Sequence, residues 1–363
     1  RSNMNKRFLV IIGILCLFTN SCRVFASENH PDASEFPLVL TDSMEIEKIQ
    51  QIAFSDQWIA VQTPGEITTI DLKTKNVLWK IQSIAPDNDS EFEIVDDNLI
   101  FASQDEDFIL AKNGERIPLT LNPNQGQLIQ LIAVYHSYIY IIRGGDWTLE
   151  VYDFAKNSLL WQRWVGRGNT SVFYEDHKNI GFIVTPRGVG AFNNSTGELI
   201  WEHKREILHS TINSDTLYLL EQENDAYQIS AIDINTQHEK WEKTVSFDVN
   251  EKIYQMTVLD NLLVLSTRKG VLALETNSGE VVWQSITGDI FYTKPVLISD
   301  SIYARGASNV IYAIASTNGK VKGSLDLSKD SAPPAYKNLT PIYKTSDGIA
   351  LNTYTKIIIL GTR

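Results

Sequence analysis

Five tryptophans constrain this chain more than anything else in it. Trp79, Trp161, Trp201, Trp241 and Trp283 recur in steps of 40 to 42 residues, with one doubled step of 82. Each closes a similar segment: Asp71-Leu-Lys-Thr74-Lys-Asn-Val-Leu-Trp79, Asp153-Phe-Ala-Lys156-Asn157-Ser-Leu-Leu-Trp161, Asn193-Asn-Ser-Thr196-Gly197-Glu-Leu-Ile-Trp201, Asp233-Ile-Asn-Thr236-Gln-His-Glu-Lys-Trp241 and Glu275-Thr-Asn-Ser278-Gly279-Glu-Val-Val-Trp283. Two weaker copies, Ala111 to Pro118 and Ser316 to Gly323, fill the doubled step and follow the last tryptophan; both keep the glycine and lose the indole. Self-similarity at this period marks a repeat architecture, in which one unit cannot bury its faces alone.

The physics of one copy is legible. An alternating apolar run such as Gly270 to Leu274 predicts a strand that enters a polar turn and leaves as a second strand carrying Trp. The Asp or Asn that opens the turn has an oxygen to accept backbone amides ahead of it. Gly197 and Gly279 supply positive φ without a Cβ penalty, and Asn157 is the next best residue there; Lys75 and Gln237 at that position imply mild strain or a different turn. A large ring on an outer strand predicts burial between neighbouring sheets, with its N–H left to find a carbonyl. Stacked radially, such sheets form a propeller.

The strand-turn-strand unit before each turn occurs eight times, the last within Ile349 to Leu360. The expected fold is therefore all-β, an eight-bladed propeller of four-stranded antiparallel blades, with seven blades as the alternative. The eighth unit lacks an outer strand, and the spare apolar stretch Phe36 to Leu40 is expected to supply it and close the ring.

Residues 1–26 read as a leader outside this fold. Lys6 and Arg7 precede the apolar run Phe8 to Phe18, which is too short to span a bilayer, and Val24-Phe25-Ala26 places small residues before a cleavage site at Ser27. Residues 27–363 then form a single domain. Cys16 and Cys22, the only cysteines, both lie in the leader, so the mature domain has no disulfide, thiolate metal site or cysteine nucleophile. Lipidation of Cys22 is the rival reading, and it would attach the protein to a membrane surface. Either reading makes the protein exported: periplasmic, extracellular or membrane-anchored. With 32 basic and 44 acidic residues, the chain offers no basic stripe for a nucleic acid.

The pattern Ser230-Ala-Ile-Asp233…Trp241, Gly190-Ala-Phe-Asn193…Gly197…Trp201 and Leu272-Ala-Leu-Glu275…Gly279…Trp283 resembles the repeat of pyrroloquinoline-quinone-like (PQQ-like) propellers, over essentially residues 50–360. One branch of that family consists of quinone-dependent dehydrogenases, which are commonly much longer. The shorter branch includes the non-catalytic propeller scaffold of the outer-membrane β-barrel assembly machinery, and in length and leader the chain is similar to that branch. The resemblance implies a scaffold that binds a protein or cell-envelope partner through loops on one face. The alternatives are a PQQ-dependent dehydrogenase and a propeller that binds a small ligand or glycan.

Chemistry-bearing patterns are sparse. The six histidines show no metal-ligand spacing, the acidic stretches match no calcium loop, and no catalytic or cofactor-binding residue is assigned. One recurrence stands out: Arg143, Arg187, Arg268 and Arg305 fall at the end of the second strand in four of the eight units, and Arg167 lies in a loop expected on the same face. Guanidinium forks gathered at a channel mouth suit a carboxylate, a phosphate or an acidic partner loop, whereas hairpin ends also carry arginine simply to stay solvated.

Overall fold

The computed structural model describes residues 36–362 apart from short stretches, the longest being 83–90, 111–115, 119–128, 166–170, 246–250 and 329–340. Residues 1–26, expected to form a leader, and the turn of the weak repeat at 111–115 lie outside the described residues.

The described strands form eight four-stranded antiparallel sheets. Seven are continuous in sequence: blade 1 spans residues 51–82, blade 2 91–118, blade 3 129–164, blade 4 171–203, blade 5 207–245, blade 6 253–286 and blade 7 296–326. Within each, strands follow one another from inner to outer edge. Blade 8 is composite. Its inner three strands are Tyr343–Lys344, Gly348–Asn352 and Lys356–Thr362, and its outer strand is Leu38–Glu45, paired antiparallel to Lys356–Thr362. The spare apolar stretch thus closes the ring as expected, with Phe36 just before it packed edge-on against Tyr303 of blade 7.

The core is a series of wedges between blades. Tyr218, Leu220 and Ile229 of blade 5 meet Met256, Leu263 and Leu272 of blade 6, and Val264, Ala273 and Trp283 of blade 6 meet Ile302, Ala304 and Ile314 of blade 7. Leu38, Leu351 and Leu360 of blade 8 meet Tyr303 and Ile311 of blade 7, while Ile357 meets Ile52 and Ile59 of blade 1. Because both faces of a second or third strand are covered, these strands read as continuous apolar runs; Leu262–Thr267 is buried throughout.

The repeat turn does what its residues dictate. Asp71 Oδ1 accepts the Lys73 and Thr74 amides at 3.0 and 2.6 Å, Asn193 Oδ1 those of Ser195 and Thr196 at 3.0 and 3.1 Å, and Asp233 Oδ1 those of Asn235 and Thr236 at 2.9 and 2.8 Å. The fifth residue of the turn has positive φ whatever its type: 69° at Gly197 and Gly279, 71° at Gly319, but also 63° at Lys75, 49° at Asn157 and 64° at Gln237. The turn is therefore kept and mild strain accepted, at a cost of about 1–2 kcal/mol for a residue with a Cβ.

The indoles reach across blades. Trp161 Nε1 donates to Asn194 O at 2.6 Å, Trp241 Nε1 to Thr276 O at 2.8 Å, and Trp283 Nε1 to Ser316 O at 2.7 Å, each carbonyl belonging to the repeat turn of the next blade. The same rings cover the turn glycines: a Cβ on Gly197, Gly279 or Gly319 would stand 2.6–2.7 Å from Trp161, Trp241 or Trp283. A bulge precedes each of these tryptophans, leaving Leu160, Lys240 and Val282 unpaired and aiming the ring at its neighbour.

Candidate functional site

Antiparallel order sorts the loops. Hairpins between second and third strands lie at the same end as the crossings from an outer strand to the next blade; repeat turns lie at the opposite end. The two ends differ in chemistry. At the turn end, carboxylates are engaged within the fold: Asp153 with Lys156 at 2.6 Å, Asp215 with Lys240 at 3.2 Å and Asp300 with Lys322 at 2.7 Å. The Thr74 amide and hydroxyl hold Asp71 below the ordinary carboxylate range, Lys156 does so for Asp153, and the Thr236 amide does so for Asp233.

At the hairpin end, cations lie against aromatic rings. Arg187, exposed in the blade 4 hairpin, sets its guanidinium 5.2 Å from the ring centre of Trp164. Trp164 ends the outer strand of blade 3 and is 59% exposed. A second group gathers between blades 5 and 6. Lys252 Nζ lies 5.5 Å from the centre of the Tyr254 ring, which meets Tyr292 edge-on at 4.6 Å. Tyr292 is presented by the crossing from blade 6 to blade 7. That crossing is strapped down where the Phe291 amide donates to Thr267 O at 3.1 Å and the Thr287 and Gly288 amides to Lys269 O at 3.0 Å. Burial raises the Tyr254 phenol, and Tyr292 beside it adds to the rise while Arg268 opposes it. His209, on the inner strand of blade 5, is pushed below its ordinary value by burial first and then by Lys252 and Lys294, against a hydrogen bond to the Ile253 backbone.

The five arginines meet different fates. Arg187 and Arg268 are exposed on the hairpins as expected. Arg143 ends the second strand of blade 3, opposite Ile129 and Thr148, with its side chain outside the described residues, and Arg167 also lies outside them. Arg305 corrects the expectation of a solvent-facing fork. It is 4% exposed, gives Nε and Nη2 to Asn309 Oδ1 at 2.9 and 2.5 Å, and gives Nη1 to Asn352 O of blade 8 at 2.9 Å. Burial lowers it to about 10, and it acts as a tie between blades.

Of the residues missed by sequence reasoning, His209, Lys252, Tyr254, Tyr292 and Lys294 sit on inner strands and crossings, and Trp164 ends an outer strand. The signal was the alternation of strand direction, which brings those segments to the hairpin end, although registering the hairpins alone passes over it. Among the described residues, no three His, Cys, Asp or Glu side chains gather as a metal site would need.

With its radial sheets and indole-over-turn repeat, the chain is a β-propeller of four-stranded blades whose repeat is similar to the PQQ-like one. Residues 185–346 match the family model described as outer membrane protein assembly factor BamB. Among solved structures, BamB from Moraxella catarrhalis is similar at 16% identity and TM-score 0.66, over 89% of this chain and 99% of that one. The computationally designed Ika8 protein is similar at 15% identity and TM-score 0.68, over 90% and 99%. Sqt1 from Saccharomyces cerevisiae is similar at 10% identity and TM-score 0.66, over 91% and 99%. At these identities the likeness shows the fold alone. No curated protein matches the sequence.

Proposed function

We propose that this chain is a non-enzymatic, extracytoplasmic scaffold that engages a protein of the cell envelope through its hairpin end. The observation that carries the reading is the Arg187–Trp164 pair, an exposed indole under a guanidinium on a rigid ring. Tryptophan and arginine are among the side chains that most often anchor interfaces. The leader at residues 1–26 supports export, with cleavage before Ser27 or lipidation of Cys22 as its two outcomes. The match to a model of an outer membrane protein assembly factor supports looking for the partner among outer-membrane assembly components.

The test is capture from envelope extracts with immobilised wild type and a Trp164→Ala, Arg187→Ala variant of unchanged melting temperature. The reading expects specific envelope proteins on the wild type and their loss from the variant. Equal capture by both would overturn the assignment of this face.

A further inference from the structure

We propose that the mouth between blades 5 and 6 is a second recognition centre, built for an acidic peptide segment of the partner whose carboxylates meet Lys252, Arg268, Lys294 and His209 while an apolar side chain rests on Tyr254 and Tyr292. The proposal rests on the reading of the hairpin end as the partner-binding face and adds the chemistry of the occupant.

Three independent observations converge there. Cations crowd together in an acidic chain: Lys252 and Lys294 both act on His209, Lys252 stands over Tyr254, and Arg268 acts on Tyr254. Glu251, whose charge also acts on Tyr254, is engaged by Lys269: its Oε1 accepts the Lys269 amide at 2.9 Å, and its Oε2 lies 3.9 Å from Lys269 Nζ. The second observation is the ring pair, since Tyr292 is 43% exposed, a flat apolar platform beside the charges. The third lies between Tyr292 and Lys294, where Thr293 is 7% exposed and its Oγ1 has no hydrogen-bond partner among the described residues, although its carbonyl accepts Ser266 Oγ at 3.2 Å. That hydroxyl is buried under the exposed Tyr292 and Lys294, and an unmet buried hydroxyl is a place where an internal water completes the bonding.

The layout favours a chain over a small anion. The cations spread over two blades and a crossing and form no single cradle, and the aromatic pair offers area that a free phosphate cannot use. Charge complementarity then selects Asp or Glu side chains spaced along an extended segment. Burial first, and then Lys252 and Lys294, hold the His209 imidazole toward its neutral form against the Ile253 backbone hydrogen bond, so a bound carboxylate offsets the two ammonium charges and favours the protonated ring. Binding takes up a proton, and affinity rises as pH falls through the imidazole range.

The experiment titrates the full chain with a blocked hexapeptide, Glu-Phe-Glu-Asp-Phe-Glu, its all-amide counterpart with Gln and Asn in place of the acids, and inorganic polyphosphate. The acidic peptide is expected to bind and the amide peptide not to. Lys252→Ala and Lys294→Ala should each weaken binding about fivefold. Tyr292→Ala should weaken the peptide and leave polyphosphate unchanged. Affinity should rise between about pH 7.5 and about pH 5.5, and His209→Gln should remove that rise. Equal binding of both peptides, indifference to Lys252 and Lys294, or polyphosphate binding with no dependence of the peptide on Tyr292 would overturn the proposal. Should peptide binding fail while envelope capture still depends on Trp164 and Arg187, only this inference falls; should capture fail and peptide binding persist, the functional reading falls instead.

Discussion

Two junctions in the ring solve one problem differently. Between blades 6 and 7, Trp283 lies over Gly319 and donates to Ser316 O, and Trp241 and Trp161 repeat the arrangement between blades 5 and 6 and between blades 3 and 4. Between blades 8 and 1 there is no indole. The register position facing Ile359, which in other blades carries Trp, holds Asp42, and the positive-φ turn position of blade 1 holds Lys75; the two form an ion pair. The closing junction thus exchanges a buried ring and its hydrogen bond for a solvent-facing charge pair. Blade 7 shows the logic from the other side: Gly323 occupies the tryptophan position opposite Ala313, and the neighbouring blade 8 has its third and outer strands from opposite ends of the chain, so no repeat turn joins them for an indole to cover. Trp161, Trp241 and Trp283 each meet a repeat turn, whereas the turn of blade 1 is met by Asp42. Sheet geometry alone does not require the indoles.

That contrast can be broken in order of expected effect. Trp283→Ala removes a buried ring and leaves the Ser316 carbonyl without its donor, and should cost about 3–5 kcal/mol, read as a lower denaturant midpoint. Gly279→Ala forces a methyl against Trp241 in a left-handed backbone and should cost about 1–3 kcal/mol; the same unfolding curve checks it, and Gln237→Gly at the equivalent turn should stabilise instead. Asp42→Ala at the closing junction should cost no more than about 1 kcal/mol, with a salt dependence that the Trp283 variant lacks. Acid should sharpen the difference between the two ends of the molecule. Asp71, Asp153 and Asp233 have lowered values in the fold, so their contribution is present above the ordinary carboxylate value and fades as pH falls through the lowered one. His209 acts earlier: held below its ordinary value, it weakens the fold as pH drops beneath about 6.5, and His209→Gln should flatten that part of the profile.

The architecture was legible because its determinants are local and repeated. An aspartate that caps its own turn, a left-handed fifth residue and an indole four residues on can each be read within one copy, and Phe36 to Leu40 stood out as a strand without a partner. The site was legible only in part, because nothing in one repeat tells which neighbour a side chain meets. Arg305 and Arg268 both read in sequence as ends of a second strand, yet by register Arg305 is still within its strand, paired with Ile311, where Asn309 and the Asn352 carbonyl hold it inside, while Arg268 falls beyond its own strand and stays exposed. Tyr254 and Tyr292 stand far apart in sequence, on an inner strand and a crossing, and only the packing of that crossing over blade 6 brings their rings together. Trp164 falls outside the tryptophan period, which made it invisible to a search for repeats and is the reason it is free to face solvent.

The central claim is that the repeat indoles of blades 3, 5 and 6 lock each of those blades to the turn of the next. Hydrogen exchange of the indole N–H groups, followed by NMR in the native state, tests it most directly. Trp161, Trp241 and Trp283 should exchange slowly, at rates tied to global unfolding, while exposed Trp164 exchanges at once. Rapid exchange at all four would contradict the account.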